Sequence, residues 1–157
     1  MNAVPRHRGG APVGFVAELD PVESSAVLYL RMWCDGPDAQ AQVWNDFATM
    51  LGPEAGQQAL RSFEALCDLC ACHARRPLMR HSVTCKCLGA DEACFANFVG
   101  YASEGEREDA LLIATTMVRP GMAPALVACA QQVGLALKRI TSRIERRQKA
   151  THPPTYH

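Results

Sequence analysis

No apolar run in this chain of 157 residues approaches the ~18–20 residues that a membrane-spanning helix requires. An apolar signal region is missing too. The basic residues Arg6 and Arg8 are followed by Gly9-Gly10-Ala11-Pro12, so no secretory signal is read there. Net charge is lacking: sixteen Lys and Arg balance sixteen Asp and Glu, without the basic excess usual in nucleic-acid binders. The chain has no Gly-rich phosphate loop, no H-E-x-x-H and no G-x-S-x-G, which removes the commonest nucleotide, metalloprotease and hydrolase signatures. A c-type haem needs C-x-x-C-H, and Cys70-Ala71-Cys72-His73 is one residue short. Period-two alternation and internal repeats are both absent over any useful length, so strands are not the organising element.

What remains is an ordinary globular composition, 48% apolar and 20% charged, of a length suited to one domain. Helix signals punctuate it. Asp20, Pro21 and Glu23 form an N-terminal capping signature for a first helix that stops at Asp35-Gly36-Pro37. A second helix begins near Asp38 and carries Val43, Phe47, Met50 and Leu51 at helical spacing until Gly52-Pro53. Pro53 opens a third, expected to run to Arg75 or Arg76, because Pro77 forces its predecessor out of helical geometry. Asp91 is the expected cap of a fourth, Glu106–Val118 reads as a fifth, and a sixth runs from about Ala123 to Arg147, weakened locally by Gly134. The expected fold is all-α: a single-domain bundle of about six helices over residues 18–148. Residues 1–17 form an arm with a short extended stretch at Val13–Val16, and 149–157 form a frayed tail.

Cysteine is the abundant oddity. Six of the eight cysteines fall between Cys67 and Cys94, in two clusters, Cys67/Cys70/Cys72/His73 and His81/Cys85/Cys87. A cytoplasmic chain keeps thiols reduced, so this density points to metal or redox chemistry more than to disulfides. On a helical wheel Cys67 and Cys70 share the apolar arc with Leu60, Phe63 and Leu66 while Cys72 points away. Those two are therefore either core thiols or ligands, since cysteine packs well as a small hydrophobe. Cys85-Lys86-Cys87 sits in a polar, basic loop where packing has little use for two thiols. If the connector folds back onto the third helix, Cys67, Cys70, Cys85 and Cys87 supply the four thiolates of a structural zinc site, with His73 and His81 as alternates. An iron–sulfur cluster or copper as Cu(I) on the same residues is the rival, as is a thiol–disulfide switch. Cys34, Cys72, Cys94 and Cys129 read as packing thiols. An open Cys/His metalloenzyme site ranks lowest, since Asp68 is the sole nearby candidate for a general base.

Charge is segregated although the total is zero. Residues 18–68 hold nine acids against Arg31 and Arg61, whereas Lys138–Lys149 holds six bases and one acid. That polarity suggests a protein partner or self-association, with nucleic acid a further option through the basic C-terminal helix. The expected function is a small, non-catalytic, metal-binding regulatory module.

Overall fold

A computed structural model describes residues 8–152, so parts of the expected arm (1–7) and tail (153–157) lie outside the described residues. Six α-helices dominate: α1 (Pro21–Trp33), α2 (Pro37–Leu51), α3 (Pro53–His73), α4 (Ala90–Ser103), α5 (Arg107–Met117) and α6 (Ala123–Thr151). Two short strands, β1 (Pro12–Phe15) and β2 (Cys87–Gly89), pair antiparallel with Phe15 opposite Cys87. The all-α expectation holds.

The helix starts follow their local chemistry. The Asp20 carboxylate accepts a hydrogen bond from the Glu23 N–H at 2.8 Å, and Pro21 opens α1; such a cap is worth ~1 kcal/mol. α2 and α3 begin on a different device. Gly36 (φ 110°) and Gly52 (φ 89°) sit in a left-handed region that disfavours side chains, and each hands over to a proline. These two corners fold α1, α2 and α3 into successive neighbours.

The long helix α6 touches all five others and runs through their middle. Its inward stripe, including Leu126, Val127, Leu137 and Ile140, meets Phe47, Phe63, Phe95 and Phe98, all essentially without solvent exposure. Each such side chain contributes about 1.5–3 kcal/mol through burial. Aromatic edges interlock around Phe63, whose ring centroid lies 5.6 Å from Trp33 and 5.9 Å from Phe47. By length and composition the segment Pro120–Thr151 is apolar enough to cross a membrane. In this fold its apolar stripe forms the bundle core. Gly134 is a close-approach point: a Cβ there would lie 2.6 Å from the Ser103 Cβ, so glycine lets α4 and α6 come together.

Three helix boundaries differ from expectation by more than one residue. α3 stops at His73, because Ala74 bridges Val118 and the Arg75 N–H donates to the Met117 carbonyl at 3.0 Å. Tertiary pairing with the end of α5 thus ends the helix before Pro77 can. α4 begins at Ala90, and Asp91 does not cap it because its carboxylate is engaged by the connector. α6 continues to Thr151. The extended stretch near Val13–Val16 forms as β1, and its partner β2 lies inside the connector, at three residues too short to leave an alternation.

Candidate functional site

The connector between α3 and α4 contains little regular structure, yet it is held at almost every turn. The Arg76 guanidinium donates to both Asp91 carboxylate oxygens at 2.8 and 2.6 Å, and the Met79 N–H donates to Asp91 at 2.7 Å. Arg80 reaches across to the Cys34 carbonyl at 3.1 Å. Beyond it lies the strongest anchor, a buried ion pair between Arg31 of α1 and Glu92 of α4.

That pair is bidentate: Arg31 Nε to Glu92 Oε1 at 2.7 Å and Nη2 to Oε2 at 2.8 Å, with both side chains almost wholly buried. The remaining guanidinium capacity goes to the connector backbone. Nη1 donates to the Cys85 carbonyl at 2.6 Å and Nη2 to the Cys87 carbonyl at 2.7 Å. Glu92 in turn accepts from the backbone N–H groups of His81 and Gly89, each at 2.9 Å. Every partner of this ion pair is thus satisfied, the condition under which a buried pair is tolerated. Burial alone would push the Glu92 carboxyl up. The Arg31 guanidinium and the two N–H donors outweigh it and hold the group below the ordinary carboxylate value.

This geometry fixes how the loop cysteines are displayed. The Lys86 carbonyl accepts from the Val16 N–H at 3.0 Å, on the opposite side from the two carbonyls that Arg31 takes. Carbonyls that alternate in this way mark extended backbone, in which residues i and i+2 share a face. Cys85 and Cys87 therefore project to one side, both half-buried and free of disulfides. Arg31 lies near enough for both thiols to help keep its guanidinium charged, after Glu92 as the main cause. The His81 ring packs against Gly89: a Cβ there would lie 3.1 Å from the His81 Cδ2, so the glycine makes room for the ring. The His81 Nε2 is buried without a hydrogen-bond partner.

The α3 half of the expected zinc set is placed differently. Cys67 and Cys70 lie in the main hydrophobic core. Desolvation drives both thiols toward the neutral form, Cys70 up to about 12 and Cys67 further. His73 closes α3, half-buried, with its carbonyl accepting from the Arg119 N–H at 3.1 Å. Among the described residues, no three Cys, His, Asp or Glu side chains are grouped closely enough to hold a metal ion. The structure tethers the backbone of His81, Cys85 and Cys87 to the Arg31–Glu92 pair and puts Cys67 and Cys70 in the core. It does not bring the two halves into one coordination shell.

Two features escape a reading of the sequence. Cys34, at the end of α1, is, after desolvation, the ionisable group that most disfavours charge on Cys67 and Cys70. Cys70 and Cys94 line one cavity of about 170 Å³ beneath the Arg76–Asp91 pair, with Leu78 and Met117 as apolar walls. Comparison with protein-family models, with curated proteins and with solved structures yields no match to this chain.

Proposed function

We propose that this chain is a non-catalytic regulatory module that senses a soft monovalent metal, Cu(I), on the paired thiols of Cys85 and Cys87. The observation that carries the reading is the double grip of Arg31 on the two cysteine carbonyls, at 2.6 and 2.7 Å. A buried ion pair holds the backbone of both residues while their thiols stay unbonded on a shared face. Soft thiolates select Cu(I), which accepts two ligands in a near-linear arrangement. The bis-thiolate complex carries only one negative charge, a smaller burden on the half-buried connector than a four-thiolate shell would impose.

A structural zinc site or an iron–sulfur cluster asks for four protein ligands. With Cys67, Cys70, Cys85 and Cys87 as those ligands, the two α3 thiols would have to leave the core and lose their protons. The connector pair alone needs neither. A reducing, cytoplasmic compartment suits the reading, since it keeps both thiols and copper in their reduced forms. The exposed basic end of α6 serves a protein partner of acidic surface, a second copy of the chain included.

Anaerobic titration against a chromophoric Cu(I) chelator tests this reading. One equivalent of copper should be withheld from the chelator by the native protein and by Cys67→Ala with Cys70→Ala, but not by Cys85→Ser or Cys87→Ser. Stoichiometric zinc in the purified protein, lost on replacing Cys67 or Cys70, would overturn it in favour of the four-thiolate shell.

A further inference from the structure

Independently of the Cys85–Cys87 pair, we infer that Cys34 is an oxidation site for hydrogen peroxide, resolved by the buried thiols of α3 into a disulfide that fastens the α1–α2 corner to α3. Three observations converge on it. Cys34 is an exposed free thiol at the C-terminal end of α1, whereas Cys67 and Cys70 are buried free thiols one turn apart on α3. The corner is brought onto α3 by the preceding residue: the Trp33 ring meets Phe63 edge-on at 5.6 Å, and Cys67 lies one turn beyond Phe63 on the same buried stripe. Arg80, donating to the Cys34 carbonyl at 3.1 Å, holds the cysteine's backbone from the other side; burial pushes the Cys34 thiol above its ordinary value, and the Arg80 charge offsets part of that rise. Cys34 is also the ionisable neighbour that most disfavours charge on both buried thiols.

This division of labour is that of an entry thiol and a resolving thiol. The Cys34 thiolate attacks one oxygen of hydrogen peroxide. An S–O bond forms, the O–O bond breaks, and the departing hydroxide leaves as water with the proton that Cys34 gave up. The Cys67 sulfur then displaces the sulfenic oxygen. An S–S bond forms, the S–O bond breaks, and the second hydroxide takes the Cys67 proton and leaves as water. Two electrons pass from the thiol pair to the peroxide, and two waters result. Burial keeps Cys67 neutral until a sulfenic acid arrives beside it, so the inner thiol is spared direct oxidation. Because burial leaves the Cys34 thiol above its ordinary value, little thiolate is present at a time, and the response tracks sustained peroxide and not brief exposure.

The Cys85→Ser/Cys87→Ser variant is the protein to test, since its behaviour cannot be confused with copper binding at the connector. It is treated with hydrogen peroxide, alkylated under denaturing conditions and mapped by peptide mass spectrometry. The expected product is a peptide pair joining Cys34 to Cys67 or Cys70, two hydrogens lighter than the sum of the reduced peptides and released by reductant. In a Trp44→Phe background the remaining Trp33 should lose fluorescence as the neighbouring disulfide forms and recover on reduction. Cys34→Ser should remove both signals while Cys67 and Cys70 stay reduced. Cys34 recovered as sulfinic acid or as a free thiol, with both α3 cysteines alkylated, would overturn the inference.

Discussion

Replacing Glu92 by Gln tests whether the connector is held by the buried ion pair or by its own loop contacts. The substitution keeps shape and volume but leaves the Arg31 charge, almost wholly buried, without a counter-ion. Breaking a buried pair from one side costs about 3–5 kcal/mol, and Gln keeps one acceptor for the N–H groups of Gly89 and His81, so about 3 kcal/mol is expected. Arg31→Met should cost more. It strands the Glu92 carboxylate and also frees the carbonyls of Cys85 and Cys87, at roughly 1 kcal/mol or more each. The double variant removes both charges and leaves chiefly those two carbonyls, so it should lose about 2–3 kcal/mol, far less than the sum of the singles. Denaturant unfolding measures all three, and hydrogen exchange at residues 81–89 reports the loop directly. The pH dependence has a definite sign. Glu92 is held below its ordinary pKa in the folded state, so its contribution is full above the unfolded carboxylate value and vanishes as pH falls through the depressed folded one. Native protein should therefore lose this increment in the acid range below about pH 4.3, and Glu92→Gln should not. A Glu92→Gln protein within about 0.5 kcal/mol of native, with unchanged exchange at 81–89, would refute the reasoning.

How far the molecule could be read from its sequence depended on the range of the interaction concerned. Capping at Asp20-Pro21 and the Gly-Pro corners at 36–37 and 52–53 are chemistry within a few residues, and they start α1, α2 and α3 where the sequence places them. The end of α3 was misplaced because a contact over forty residues away, between Ala74 and Val118, competes with helix continuation before Pro77 acts. Gly134 looked like a flaw in a long helix, yet its partner, Ser103, comes from another helix and is invisible to periodicity. Arg31 carried a signal that went unused. It falls one turn after the buried Val27, a core position for a charged side chain, and such a residue demands a buried counter-ion. Spacing could not say that this counter-ion would be Glu92, nor that the pair would grip two cysteine carbonyls.

The thiols divide along the same line. Cys67 and Cys70 sit on an apolar arc and behave as that arc dictates, whereas Cys85 and Cys87 sit in a basic loop and stay accessible. Motif spacing treats all four as interchangeable ligands. Desolvation separates them, because two thiols are committed to the neutral form by the core around them. Cys34 was passed over for the opposite reason: more than thirty residues of chain separate it from Cys67, and the α1–α2 and α2–α3 corners together close that gap.

Two further predictions concern packing and association. Gly134→Ala places a Cβ 2.6 Å from that of Ser103, so α4 and α6 must separate, and a loss of about 1–3 kcal/mol in denaturant unfolding is expected; a stabilised variant would show that helix propensity, not close approach, governs the site. The last concerns the end of α6, where residues 142–151 are all exposed and carry Arg143, Arg146, Arg147 and Lys149. Arg143 donates to the Met50 carbonyl and Arg147 points to the Met50 sulfur, so both help tie α6 to the end of α2. Arg146 and Lys149 are the cleaner pair to reverse. If this end meets the acid-rich surface of a second copy, Arg146→Glu with Lys149→Glu should weaken self-association about tenfold, as expected from up to ~1 kcal/mol for each exposed charge. Raising the salt should weaken the native protein in the same direction, because exposed charges are screened beyond about 8 Å at physiological ionic strength. Sedimentation equilibrium across protein and salt concentration reads both effects. A native protein that stays monomeric throughout removes the self-pairing, and tight, salt-sensitive binding to random duplex DNA at physiological salt would reassign the basic end to nucleic acid.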